Sequence, residues 1–126
     1  MLQDCRVMSD DETTVWFNPS CSKCRGARDL LGEQGVEAQY VEYLQETPSR
    51  QELERVMRLL GIDDPRQMMR TREDLYGELG LANASHDELL DAMVANPILI
   101  ERPIVIRGDR AVIGRPPERV LELLQP

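Results

Sequence analysis

The segment TTVWFNPSCSKCR, residues 13–25, decides the fold of this chain, because a turn with two cysteines joins a strand pattern to a helix pattern there. Its β-branched and aromatic start predicts a first strand at about residues 14–18. Asn-Pro-Ser at 18–20 is turn chemistry. Apolar residues three and four positions apart then predict a helix over about residues 24–34. Cys21 is therefore expected at the N-terminus of a helix.

A cysteine in that position is predicted to be reactive. The unpaired amide groups of a helix N-terminus stabilise a thiolate, which is the nucleophilic form of cysteine. The neighbouring cations Lys23 and Arg25 are expected to lower the pKa of Cys21 further. Cys21 is thus the predicted chemical centre of the chain.

Composition bounds the class of protein. The chain has 126 residues, 41% of them apolar, which suits one domain with a real core. A net charge of −8 argues against direct binding to nucleic acid or to an anionic membrane. The longest apolar stretch, Pro97–Ile100, is too short to span a bilayer, and the first ten residues do not resemble a signal peptide. Three cysteines without an export signal indicate reduced thiols and a cytoplasmic protein.

The remaining elements follow from periodicity and caps. Residues 38–44 alternate and predict a second strand. Capping boxes that begin at Ser49 and at Ser85 predict two further helices, with short helices and turns between them. Two strands, 104–106 and 111–113, flank a Gly-Asp turn. A last helix is predicted to start at Pro116-Pro117 and to bury three apolar residues, Val120, Leu121 and Leu124.

The order of these elements predicts a thioredoxin-like fold. A strand-helix-strand start implies a parallel pair, and the later hairpin adds an antiparallel pair. An α/β domain with a mixed four-stranded sheet and helices on both faces accommodates both pairs. We expect a flexible tail over residues 1–12, a single domain over 13–126 and a helical insert at about 49–97.

Cys21 and Cys24 form a C-x-x-C pair, and this motif has three uses. In a reducing compartment it favours thiol redox chemistry, with both cysteines catalytic. Alternatively, Cys24 packs on the helix as a small apolar residue. Zinc binding would need two more ligands, and Cys5 and His86 stand in poor contexts for that role, so no metal is expected.

Three arginines are candidates for binding an oxyanion. Arg102 and Arg115 each precede a proline at a strand boundary, and Arg70 lies in the insert. A guanidinium offers a planar fork of donors that matches a tetrahedral anion. The alternative for each arginine is a solvated surface charge.

Taken together, the motifs resemble the glutaredoxin-linked arsenate reductase family. The similarity covers about residues 14–125 and rests on these blocks: Asn18–Arg25, Tyr43-Leu44 with Pro48-Ser49, Leu60-Gly61, Met69-Arg70, Asn96–Val105 and Gly114–Glu118.

The resemblance implies a thioredoxin-like domain with a helical insert and a site built around Cys21. It implies that Cys21 is the nucleophile, that Arg70, Arg102 and Arg115 bind arsenate or a similar oxyanion, and that glutathione and glutaredoxin supply the electrons. No tightly bound cofactor is implied. Asn18, Arg25 and Pro103 are expected to support the site. A cis peptide bond is expected at Arg102-Pro103, facing Cys21.

Two residues depart from the family pattern. Phe17 stands where the well-studied arsenate reductases carry a histidine, and Cys24 stands where many members carry serine or threonine. The leading hypothesis is an arsenate reductase in which glutathione or Cys24 is the second thiol. Two alternatives stay open: a dithiol reductase with another substrate, and a redox-sensing regulator that binds RNA polymerase. The Gly114–Glu118 block favours the enzyme.

Overall fold

The computed structural model describes residues 12–124, which form two compact units. The first comprises residues 12–42 and 102–124, and the second is Tyr43–Glu101. The predicted tail lies, except for Glu12, outside the described residues. The second unit contains the segment predicted as a helical insert at about 49–97. The single-domain organisation stays a prediction.

The first unit is a mixed four-stranded sheet with flanking helices, which confirms the predicted fold class. Its elements are β1 (Thr13–Trp16), α1 (Ser22–Glu33), β2 (Ala38–Val41), β3 (Ile104–Arg107), β4 (Arg110–Ile113) and a terminal 3-10 helix (Pro117–Leu124). The strand order is β2-β1-β3-β4. β1 and β2 are parallel, whereas β3 is antiparallel to both of its neighbours.

Apart from shifts of one or two residues at the ends of other elements, two predicted elements differ from those observed. The second strand ends at Val41 rather than Leu44, because β1 ends at its partner Trp16 and the turn that follows cannot continue the ladder. The terminal helix is a 3-10 helix that buries Val120 and Leu123, three residues apart, whereas Leu121 and Leu124, also predicted to be buried, are only half-buried. One short apolar run does not distinguish a spacing of three residues from a spacing of four.

The core of the first unit lies between the sheet and α1. The buried face of α1 packs with residues of β1, β3, β4 and the terminal 3-10 helix, and the cluster comprises Val15, Phe17, Cys21, Cys24, Ala27, Leu31, Val105, Val112, Val120 and Leu123. The backbone of α1 approaches the 3-10 helix closely at Gly26, where an added Cβ would lie 3.1 Å from Cγ of Pro117. Both cysteines are therefore part of the same packed layer.

The second unit consists of short helices. They are α2 (Arg50–Leu60), α3 (Asp74–Glu78) and α4 (His86–Ala95), with 3-10 turns at Pro65–Met68, Leu81–Asn83 and Pro97–Leu99. Both predicted capping boxes are present, at Ser49 and at Ser85. The Arg66 guanidinium donates hydrogen bonds to the carbonyl oxygens of Leu81 (2.8 Å) and Ala84 (2.9 Å). Among residues 12–124, no helix is long and apolar enough to cross a bilayer.

The close approach at Gly26 generates a stability prediction with a control on the same helix. Nothing lies within 4 Å of a Cβ added at Gly32, so Gly32→Ala should raise the free energy of unfolding by about 0.5–1 kcal/mol through reduced backbone entropy. Gly26→Ala has the same entropic benefit, but overpacking against Pro117 should lower its free energy of unfolding by ~1–3 kcal/mol. Urea denaturation of both variants measures the difference. Equal stability of the two variants would contradict the packing described for α1.

Candidate active site

The turn between β1 and α1 places Cys21 at the N-cap of the helix, one position before its first residue. The Cys21 amide donates to the carbonyl oxygen of Asn18 (3.0 Å), and the Cys21 carbonyl oxygen accepts from the amide of Arg25 (3.0 Å). Cys21 is 8% exposed. The cysteine predicted to be reactive is thus held by its backbone on both sides and keeps a small opening to solvent.

Asn18 and Arg25 stabilise this turn. The Asn18 side-chain oxygen accepts a hydrogen bond from the amide of Ser20 (3.0 Å). The Arg25 guanidinium donates to the carbonyl oxygen of Pro19 (2.9 Å). Both contacts fix the loop that carries Cys21, and a supporting role of Asn18 and Arg25 in the chemistry stays a prediction.

The pKa of Cys21 is lowered. Burial is the largest single influence and opposes ionisation, but it is outweighed by hydrogen bonds to the sulfur from the backbone and thiol of Cys24, the amide of Lys23 and the side chain of Arg102. The direction and the role of the helix N-terminal amides agree with the sequence prediction, whereas the role predicted for the charges of Lys23 and Arg25 does not. Lys23 acts through its backbone amide rather than its ammonium group, and Arg25 is engaged with Pro19. The thiolate is stabilised by backbone dipoles and by Arg102, an arginine that is distant in sequence but hydrogen-bonded to the sulfur.

The pKa of Cys24 is shifted the other way. Burial raises it to about 12, and the charge of the Cys21 thiolate and its hydrogen bond with Cys24 act in the same direction. A backbone hydrogen bond from Asn18 and the charge of Arg102 oppose these effects. Cys24 is fully buried, and both cysteines are free thiols. In this state Cys24 is a thiol that donates to the Cys21 thiolate.

Arg102 and Arg115 are linked through the backbone. Besides its hydrogen bond with Cys21, Arg102 accepts a bond at its carbonyl oxygen from the guanidinium of Arg115 (3.1 Å). Gly114 donates its amide to the carbonyl oxygen of Pro103 (2.8 Å), which holds the two arginine-proline segments together. The Arg102-Pro103 bond is cis, as expected, and the Arg115-Pro116 bond is also cis, which the sequence did not reveal.

Arg70 belongs to the second unit. Its guanidinium forms an ion pair with Glu73 at 2.9 Å, and its backbone amide donates to the carbonyl oxygen of Leu99. Both contacts lie within that unit. A role for Arg70 in oxyanion binding stays a prediction.

Phe17 takes no part in acid-base chemistry and is packed instead. Its ring meets that of Tyr40 edge to face, with 5.2 Å between centroids, and the Arg28 guanidinium lies 6.0 Å from its centroid. These contacts anchor the end of β1 just before the reactive turn. The lowered pKa of Cys21 is thus reached with an aromatic residue in the position of the family's histidine.

Sequence reasoning predicted the amides at the helix N-terminus but missed two other main-chain contributions to the site. The amide of Asn18 that hydrogen-bonds Cys24 and the carbonyl of Arg102 that receives Arg115 are main-chain groups, and main-chain groups carry no residue-specific signal. No cluster of three or more metal-ligating side chains occurs among residues 12–124.

Comparison with known proteins gives a consistent answer. The family model described as ArsC family matches residues 16–123. The arsenate reductase of Haemophilus influenzae is 50% identical over 112 residues, which cover 87% of this chain and 97% of that protein. The uncharacterized protein YfgD of Escherichia coli K12 is 46% identical over 115 residues, or 90% of this chain and 97% of that protein.

Solved structures agree with these relatives. The structure of an arsenate reductase from Vibrio cholerae superposes with a TM-score of 0.87 at 45% identity, covering 90% of this chain and 98% of the other. The family match over residues 16–123 includes the cysteine turn and both arginine-proline segments. The chain belongs to the ArsC family.

Proposed function

We propose that this protein reduces arsenate to arsenite, with Cys21 as the nucleophile. The observation that carries the proposal is the contact between the Arg102 side chain and the sulfur of Cys21. A cation beside a stabilised thiolate brings the anionic substrate and the nucleophile to one place. The named arsenate reductases among the relatives support the choice of substrate.

The first step forms a sulfur-arsenic bond. The Cys21 thiolate attacks arsenic(V), one arsenate oxygen takes up a proton, and water leaves. The arsenic stays pentavalent at this stage. Arg102 and Arg115 neutralise the negative charge on the remaining oxygens, because guanidinium groups match the geometry of a tetrahedral oxyanion. Arg70 is a third candidate for this role.

Reduction then needs two electrons from thiols. Attack of a second thiolate on the Cys21 sulfur breaks the sulfur-arsenic bond and leaves its electron pair on arsenic, which departs as arsenite. We propose glutathione and glutaredoxin as the electron source, on the basis of the family resemblance. The reaction would then belong in the cytoplasm, where the glutathione pool keeps thiols reduced.

A coupled assay tests the proposed reaction. Arsenite formation is followed with arsenate as substrate and with glutathione and glutaredoxin, added separately and together. We expect turnover with both donors present and none in Cys21→Ser. Absence of turnover with every thiol donor would contradict the proposed function and would favour the regulator alternative.

Substitution of the arginines tests the oxyanion site. Arg102→Lys and Arg115→Lys keep the positive charge and lose the planar fork, so kcat/KM should fall by up to ~10²-fold, the lower end of the cost of losing one oxyanion donor. Arg107→Lys is the matched control, since Arg107 ends β3 and hydrogen-bonds Thr13 at 2.8 Å. Unchanged kcat/KM in Arg102→Lys and Arg115→Lys would show that these arginines act only through their charge, and an equal loss in Arg107→Lys would show that the effect is not specific to the oxyanion site.

The rate of alkylation against pH tests the activation of Cys21. Because only the thiolate reacts and the pKa of Cys21 is lowered, its apparent pKa should lie below the free-cysteine value of ~8.5. Arg102→Gln removes a group that stabilises the thiolate, so the apparent pKa should rise. Cys24 should remain unlabelled in the native protein, because its pKa is raised to about 12. Titration of Cys21 at or above ~8.5 would refute the activated nucleophile.

A further inference from the structure

We infer that Cys24 is the resolving thiol of this enzyme: it attacks the sulfur of arsenic-bound Cys21, closes a Cys21–Cys24 disulfide and expels arsenite before any external thiol reacts. The inference rests on the proposed reduction of arsenate. It assigns glutathione and glutaredoxin to a later step, the reduction of that disulfide.

The geometry brings the two sulfurs together. Cys21 is the N-cap of α1 and Cys24 is its third residue, so both lie on the first turn of the helix. The two thiols are hydrogen-bonded to each other. Both belong to the same buried cluster, in which Cys24 is fully covered and Cys21 keeps the opening to solvent. An external thiol has to approach Cys21 through that opening, whereas the thiol of Cys24 is already hydrogen-bonded to the sulfur of Cys21.

The surroundings of Cys24 can hold a thiolate. The backbone amide of Asn18 hydrogen-bonds the Cys24 sulfur, and the charge of Arg102 favours the ionised form. A cysteine that only fills space among apolar side chains needs neither contact. Asn18 therefore has two roles in the site: its side chain orders the turn, and its amide is available to the second sulfur.

The two thiols are coupled so that they react in sequence. While Cys21 is ionised, its charge and its hydrogen bond help to keep Cys24 protonated. Once the Cys21 sulfur is bonded to arsenic it carries no charge, so both of these influences disappear. Burial and the negative charge of the bound arsenate group oppose ionisation of Cys24, while Asn18 and Arg102 favour it, so the second attack depends on these two groups.

Atoms and electrons balance in this step. Cys24 loses its proton and its sulfur bonds to the Cys21 sulfur. The sulfur-arsenic bond breaks, its electron pair reduces arsenic(V) to arsenic(III), and the product takes up protons and leaves as arsenite. Two thiols have then become one disulfide, which accounts for both electrons. A thiol donor of the glutathione or glutaredoxin class restores the dithiol.

A single-turnover experiment tests the inference. Full-length protein carrying Cys5→Ser, so that only Cys21 and Cys24 remain, is reduced, freed of external thiol and mixed with arsenate without oxygen. We expect about one arsenite per chain and a product that takes up no alkylating reagent after it is unfolded in denaturant, because both sulfurs are in a disulfide. Cys24→Ser in the same background keeps a hydrogen-bond donor and removes the nucleophile. It should lose the burst and become strictly dependent on glutathione.

The possible outcomes separate the two claims. If the Cys5→Ser protein forms no arsenite without external thiol but turns over with glutathione and glutaredoxin, Cys24 is not the resolving thiol and the proposed function stands. A burst that persists in Cys24→Ser also overturns the inference. Absence of turnover under every condition refutes arsenate reduction and the inference with it. The first result needs no substitution at Cys24, so it holds even if Cys24→Ser fails to fold.

Discussion

The stabilisation of one thiolate at the start of α1 is the constraint on which the rest of the site depends. β1 must end where the chain turns, the turn must place Cys21 at the N-cap, and the amides of Lys23 and Cys24 must face its sulfur. Burial works against this arrangement, since a covered thiolate loses hydration. Hydrogen bonds to the sulfur compensate for this lost hydration. The fold aligns them in advance, so that none has to be organised during the reaction.

Phe17 shows that this stabilisation does not require a histidine beside the cysteine. The only histidine of the chain, His86, begins α4 in the second unit. Cys21 is supported instead by backbone amides, by the thiol of Cys24 and by a guanidinium. Amides and arginine do not titrate near neutral pH. The ionisation of Cys21 therefore depends on its own pKa and on the state of Cys24, and no third titrating group is involved among these partners.

The sequence predicts those features of the fold and the site that depend on side-chain type and spacing, and it does not predict those that depend on main-chain groups or on packing. β1, α1, the hairpin and both capping boxes follow from side-chain pattern, and Cys21 and Arg102 follow from their placement at element ends. The end of β2 depends on where its partner stops, and the 3-10 geometry after Pro117 depends on packing. The amide of Asn18 at Cys24 is a main-chain group. Such features arise only once distant parts of the chain meet.

Two cysteines on one helical turn have opposite ionisation behaviour, and this difference has a chemical use. The thiol with the lowered pKa is the competent nucleophile for the first attack, and the one with the raised pKa is protected from reagents that reach the first. Arg102 influences both sulfurs, directly at Cys21 and through its charge at Cys24. The same cation can therefore attract the substrate, support the first thiolate and favour the second after the first is consumed. In the proposed reaction, an arginine at the entrance to β3 would therefore serve both halves of the two-electron transfer.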